Sequence, residues 1–206
     1  MSGGREGAGR PSLAVEERGP VAIIHLNRPA ERNPLSAATL DELEQAFSSF
    51  TSRGEVSAVV LTGAGDVFAS GADIRELQNL TPDTAHDFSL RGQRLFRLIE
   101  GARPVTVAAV NGYCMGGGLD LALACRARCA SASAVFAHPG ARLGVITGWG
   151  GTQRLPRLVG TARALEMFAT GRRLTAEEAL EFGLVSRVCD PVLDCAVELA
   201  ARLAGA

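Results

Sequence analysis

Between two apolar runs, Pro104–Val110 and Leu119–Ala124, the chain reads Asn111-Gly112-Tyr113-Cys114-Met115-Gly116-Gly117-Gly118. The first run is strand-like, with valines spaced for a pleated surface, and the second is helix-forming. Three glycines in a row at such a junction remove every Cβ, so that ligand or neighbouring backbone atoms can come close. The first turn of a helix also leaves N–H groups without intrahelical partners and carries partial positive charge. Such an entrance suits an anion, or a carbonyl oxygen that becomes one during a reaction. Asp120 stands inside that first turn, where the helix terminus favours its ionised form and places it as a candidate base. The alternative reading is a tight strand-to-helix turn in which Asp120 only complements the helix dipole.

The rest of the composition narrows the classes. The chain has 206 residues, 47% hydrophobic and 21% charged, with a net charge of -1. This suits one globular domain. No basic stripe is present, which argues against a nucleic-acid partner. No apolar run approaches the roughly 20 residues of a membrane span. Cys114, Cys125, Cys129, Cys189 and Cys195 form no C-x-x-C pair. They read as reduced structural thiols, which places the protein in the cytoplasm, with an organelle matrix as the other option. Residues 1–12 are rich in Gly and Arg and lack the apolar stretch of a secretory signal. The expected organisation is a disordered tail over residues 1–14 and one domain over residues 15–206.

Strands are expected at Val21–Leu26, Val56–Thr62, Pro104–Val110 and Leu184–Cys189, with one or two more within Arg128–Ala137. A helix capped by Ser36 should run to about Ser52 with Leu40, Leu43 and Phe47 on its buried face. Further helices are expected at Pro82–Leu98, from Gly117, at Thr161–Ala169, at Thr175–Phe182 and at Pro191–Leu203. Strands alternating with helices give an α/β fold with crossover connections.

Four segments together resemble the crotonase, or enoyl-CoA hydratase/isomerase, family. They are Leu26-Asn27-Arg28-Pro29 with Arg32-Asn33-Pro34-Leu35, Phe68-Ala69-Ser70-Gly71-Ala72-Asp73-Ile74-Arg75, the triple-glycine segment through Asp120, and Gly148-Trp149-Gly150-Gly151-Thr152-Gln153-Arg154-Leu155-Pro156. The resemblance extends from about Val15 to Ala206. It implies a ββα-spiral core followed by a helical C-terminal segment. Family members continue into further C-terminal helices, so the chain reads as truncated. A homotrimer or a hexamer built as a dimer of trimers is implied, with an acyl-CoA substrate. The coenzyme A is carried by the substrate; no separate cofactor and no metal are implied.

Carried over by position, the backbone N–H groups of Ala72 and Gly117 would form an oxyanion hole for the thioester carbonyl. Arg32, Leu35, Ala72, Asp73, Ile74, Arg75, Met115 and Gly117 would contact CoA or substrate. Arg32 reads equally well as a solvated surface charge, and Met115 and Tyr113 as core packing. Asp73 also reads as a capping residue.

Two positions depart from the family pattern. Its hydratases use two glutamates that hold and activate one water. The first position is Asp120 here, one methylene shorter. The second, in a Phe-Gly-x-Pro-Glu motif, falls on Gly140 in Phe136-Ala137-His138-Pro139-Gly140. His138, two residues away, is a candidate replacement, against a structural histidine. The resemblance thus implies an enoyl-CoA hydratase/isomerase-type enzyme of fatty acid metabolism, atypical at its second acid. Asp120 is its catalytic candidate. The alternative is an acyl-CoA-binding protein with weak or no catalysis.

Overall fold

In the computed structural model, which describes residues 11–205, the apolar runs become the middle of a sheet buried on both faces. The elements in order are β1 (Leu13–Arg18), β2 (Val21–Leu26), β3 (Pro34–Leu35), α1 (Ala37–Arg53), β4 (Ala58–Gly63), β5 (Val67–Ala69), β6 (Gly71–Ala72) and α2 (Ile74–Leu77). Then come α3 (Pro82–Glu100), β7 (Val105–Val110), β8 (Tyr113–Met115), α4 (Gly117–Ala124), β9 (Ala127–Ala130) and β10 (Val135–Ala137). The chain ends with α5 (Gly151–Val159), α6 (Thr161–Thr170), β11 (Leu174–Thr175), α7 (Ala176–Glu181), β12 (Arg187–Val188) and α8 (Val192–Ala204).

The large sheet has the order β1-β2-β4-β7-β9-β12; β1 and β2 are antiparallel and the other pairs parallel. A smaller sheet, β11-β10-β8-β5, lies beyond it, and β3 pairs with β6. The chain visits both sheets in turn: β4 then β5, β7 then β8, β9 then β10. Helices α3 and α4 close the first two of these passes. This is the expected ββα spiral, with its C-terminal helix present.

Side-chain alternation explains the layering, because successive residues of a strand point to opposite faces. Val59, Leu61, Ala108 and Val110 point into the main core with Leu40, Leu43, Phe47 and Phe96. Ala58, Val60, Val107 and Ala109 point the other way, onto Val192, Ala196 and Ala200 of α8. Parallel strands covered on both faces read as continuous apolar runs. Ser36 caps α1 as expected, accepting from the Thr39 N–H. Buried Arg128 donates to the carbonyls of Cys125 (2.7 Å) and Leu184 (2.7 Å). It thereby fixes the C-terminal end of α4 against the segment leading to β12.

Two boundaries differ from expectation. Strand β1 starts at Leu13 and pairs along its length with β2, so folded chain begins ahead of residue 15. The Ser12 and Leu13 N–H groups donate to the Glu42 carboxylate at 3.1 and 3.0 Å. Residues 1–10 of the expected tail lie outside the described residues. The strand expected at Leu184–Cys189 is confined to Arg187–Val188, because the Leu184 and Val185 N–H groups turn back to the Ala179 carbonyl at the end of α7. Among the described residues no helix is long and apolar enough to cross a membrane.

Candidate active site

Backbone builds the first half of the site. Asn111 ends β7 and ties itself to the turn after β4: it accepts from the Gly63 N–H (3.1 Å) and donates to the Gly63 and Gly65 carbonyls (2.9 and 2.8 Å). That brings β8 alongside β5 and starts α4 at Gly117. The helix entrance packs so closely that a Cβ on Gly118 would fall 2.5 Å from the Ala69 carbonyl oxygen. Gly117 is the meeting point. Its missing Cβ would lie 3.3 Å from the Ala72 amide nitrogen, and a Cβ on Gly71 would lie 3.3 Å from the Gly117 nitrogen. The two amides therefore adjoin, and Ala72, Met115 and Gly117 are half-buried and within reach of a ligand. Paired N–H donors at a helix entrance are suited to stabilise a carbonyl oxygen that gains charge.

A groove of about 330 Å³ leads outward from Ala72, lined by Glu31, Pro34, Ser70, Asp73, Ile74 and Arg75. Ile74 is 54% exposed there, an open apolar face beside polar groups. Asp73 is buried and caps α2, accepting from the Arg75 N–H at 2.9 Å and pairing with the Arg75 guanidinium at 2.7 Å. Arg75 also pairs with Glu31 at 2.6 Å. Its two carboxylate partners hold the Arg75 guanidinium firmly charged, and Arg75 in turn holds Asp73 below the usual carboxylate range. Arg32 sits in a left-handed turn, exposed, 5.5 Å above the Tyr113 ring. Its carbonyl accepts from Ser70 N–H at 3.0 Å, which holds it beside the groove. Leu35, expected among the ligand contacts, is instead wholly buried in the core: β3 lies in parallel register with β6, Leu35 opposite Ala72, and its side chain turns inward.

Side chains build the second half. Asp120 is completely buried, with Thr147 Oγ1 donating to its Oδ2. His138 Nε2 lies 3.3 Å from the other oxygen, Oδ1. His138 is buried as well, its ring 4.9 Å from that of Phe168. The contact is close but poorly aligned, and Asp120 Oδ1 and His138 Nε2 each lack a well-formed hydrogen bond among the described residues. Buried polar atoms in that state call for an explanation, and proton exchange between them is one. Burial pushes the Asp120 carboxyl up to about 7, against the Thr147 hydrogen bond, the Arg154 charge and the Gly151 and Trp149 N–H groups, which pull it down. The expectation that the helix entrance keeps Asp120 ionised is therefore corrected, since desolvation outweighs the dipole. Burial pushes His138 down to about 4. Between those values the pair is a carboxylic acid beside a neutral imidazole.

No carboxylate can stand at Gly140 in this arrangement. A Cβ there would lie 2.5 Å from the Val145 carbonyl oxygen, so the backbone of the following loop fills the place. The residues that sequence reasoning did not single out are in that loop: Thr147, which holds Asp120, and Trp149, which is buried against Gly117. The available signal was a lone indole set among glycines, Gly148-Trp149-Gly150-Gly151, which marks a side chain anchored where backbone comes close.

Comparison with known proteins bears on the family and the fold. A family model described as enoyl-CoA hydratase/isomerase matches residues 16–206. The chain is 38% identical over 195 residues to a short-chain-enoyl-CoA hydratase of Clostridium acetobutylicum, covering 93% of this chain and 75% of the relative. It is 41% identical over 203 residues to a mitochondrial enoyl-CoA hydratase of Pongo abelii, covering 96% of this chain and 69% of that one. The crystal structure of an enoyl-CoA hydratase from Bacillus anthracis superimposes with a TM-score of 0.90 at 36% identity, covering 95% of this chain and 77% of that one.

Proposed function

This chain belongs to the enoyl-CoA hydratase/isomerase family, and from that premise we propose that it is an acyl-CoA enzyme that moves a proton at a thioester enolate. The Ala72 and Gly117 N–H groups receive the thioester oxygen. Asp120, once ionised, removes a proton from the carbon next to the carbonyl or from its vinylogous position. The electron pair moves onto the oxygen, and the same carboxyl returns the proton at the other end of the conjugated system. Protons balance with one acid/base group. This favours double-bond isomerisation; hydration of a 2-enoyl-CoA needs, in addition, a group that activates water. His138, its Nε2 3.3 Å from Asp120 Oδ1, is the neighbour placed for that task, although burial makes its imidazole a weak base.

The observation that carries the reading is the place of Asp120: a buried carboxyl in the helix that starts at Gly117, 3.3 Å from His138 Nε2, with burial raising its proton affinity. The direct test is exchange of the α-hydrogens of butyryl-CoA in D2O, followed by NMR. The wild-type protein should exchange them and Asp120→Asn should not. Binding of butyryl-CoA with neither exchange nor turnover of any enoyl-CoA would overturn the reading.

One observation favours a second reading. Asp120 is fully enclosed beneath Thr147, which supports binding of acyl-CoA without its transformation. On either reading the CoA moiety lies along the Glu31–Arg75 groove and enters with the substrate. A homotrimer or hexamer and a cytoplasmic location remain part of the proposal; light scattering of the purified protein tests the assembly.

A further inference from the structure

The chain has one tryptophan, and it is placed where it can limit what the site accepts. Trp149 is buried between two helices at two glycines. A Cβ on Gly92 of α3 would lie 2.2 Å from its Cδ1, and one on Gly117 of α4 would lie 2.5 Å from its Cζ3. Phe88 and Phe96 flank the ring, with centroids 5.1 and 5.6 Å away, the second edge-on. The indole N–H donates to the Phe88 carbonyl at 3.2 Å. The ring is thus held at its pyrrole end, with its benzo edge lying on Gly117.

What lies on each side of Gly117 gives that edge its meaning. The point 2.5 Å from the indole is also 3.3 Å from the Ala72 nitrogen, so an oxygen received by the two amides sits beside the ring. On the Ala72 side the surface opens into the polar groove that ends at Glu31 and Arg75. A ligand whose long polar part occupies that groove must direct its acyl group the other way, toward Asp120. The covering there is the loop of Thr147 and Trp149. Resting on the acyl-CoA reading above, we propose that Trp149 is the specificity-determining residue of this site, its indole closing the acyl end so that short acyl groups fit and long ones do not. An aromatic wall fixed at both ends is costly to displace, because interiors are close-packed and do not deform smoothly. Chain-length selection then follows from where the ring stops the acyl chain.

The test is calorimetry of free CoA, butyryl-CoA, hexanoyl-CoA and decanoyl-CoA with the wild type, Trp149→Ala and Trp149→Phe. The wild type should bind butyryl-CoA at least about 10-fold more tightly than decanoyl-CoA, because a filled site cannot take added methylenes without strain. Trp149→Ala should reverse that order, and Trp149→Phe should fall between, with free CoA unchanged in all three. Butyryl-CoA should also shift the emission of the wild type, whose fluorescence comes from this one indole. Affinity that rises with chain length in the wild type, or the same profile in wild type and a folded Trp149→Ala, overturns the role of Trp149 while leaving the acyl-CoA reading intact. Failure of every acyl-CoA to bind the folded wild type overturns both. If Trp149→Ala does not fold, as judged by circular dichroism, the wild-type profile and Trp149→Phe decide the matter.

Discussion

The two halves of the site meet at Gly117 but are made of different material. The cradle at Ala72 and Gly117 is backbone, held by strand register, by Asn111 and by the close packing of Gly118 on Ala69. The wall at Asp120, His138 and Thr147 is side chain, sealed from solvent, with proton affinities displaced by burial. The cradle carries the Gly71-Ala72-Asp73 and triple-glycine segments on which the family resemblance rests, whereas the wall carries Asp120 and Gly140 where that resemblance implies two glutamates. A backbone donor depends on the fold and survives exchange of most side chains nearby. A side-chain acid depends on the identity of one residue, and the loop around it can close over its place, as Val145 does beside Gly140.

The largest effect should come from attacking the cradle. Gly117→Val puts a Cβ onto Trp149 and beside the Ala72 nitrogen. Binding of butyryl-CoA and turnover should fall together, with kcat/KM down by about 10³-fold or more, as a side chain that displaces the amide and blocks the oxygen's place requires. If turnover alone fell, the cradle would be a catalytic device without a binding role, and the contrast between the halves would break.

The wall should reveal itself in the pH dependence of stability. Asp120 is raised to about 7, so between about pH 4 and 7 the folded state keeps a proton that the unfolded state has released. Taken alone, this lowers stability as pH rises. His138 is lowered to about 4, so between about pH 4 and 6.5 the unfolded state holds a proton that the folded state lacks. Taken alone, this raises stability as pH rises. The two contributions oppose each other and nearly cancel in the wild type. Asp120→Asn should leave a rise of roughly 3 kcal/mol from pH 4 to 6.5, and His138→Gln a fall of roughly 4 kcal/mol from pH 4 to 7. Urea denaturation at several pH values, each variant compared with the wild type, measures both slopes. Parallel profiles in all three proteins would show that burial does not displace the proton affinities of Asp120 and His138.

Catalysis gives the next effect. Asp120→Asn should cut turnover of an enoyl-CoA by about 10²-fold while acyl-CoA affinity stays within a few-fold. In the wild type, activity should climb as pH rises through about 7, where Asp120 ionises. Equal loss of binding and turnover would make Asp120 a strut for the Thr147 loop. The smallest effect belongs to the outer rim: Asp73→Ala removes the α2 cap and should cost about 1 kcal/mol of stability, read by the same denaturation.

Much of the fold was legible because its strands and helices announce themselves locally. The branched runs at Val21–Leu26 and Val105–Val110, and the Ser36 cap followed by Leu40, Leu43 and Phe47, each carry their period and punctuation in a few residues. Strand β1 carries little: in Leu13–Arg18 only Leu13 is buried, and the pairing rests on backbone bonds that any sequence can make. Helix α5 hid behind Gly151 at its start and Pro156 within it. The site divided along the same line. Paired amides follow from glycines in a row, but the proton affinity of Asp120 is set by burial, against a hydrogen bond from Thr147, which comes 27 residues later. His138 reaches Asp120 because the backbone leaves strand geometry there, at φ -112 and ψ 83, just before Pro139.

The charges around the outer groove also bear on how the protein responds to its medium. Arg28 and Arg75 both pair with Glu31, at 2.6 Å each, and Arg75 also pairs with Asp73. Two cations and two anions leave that rim formally neutral. A phosphate-bearing ligand therefore meets no cloud of counterions there to displace. Arg32, which has no carboxylate partner among the described residues, is the charge left to greet it. Recognition should rest on shape, the exposed Ile74 face and backbone more than on long-range attraction. Raising ionic strength from a dilute buffer to well past physiological should weaken CoA binding by no more than about three-fold, the screening of one exposed charge.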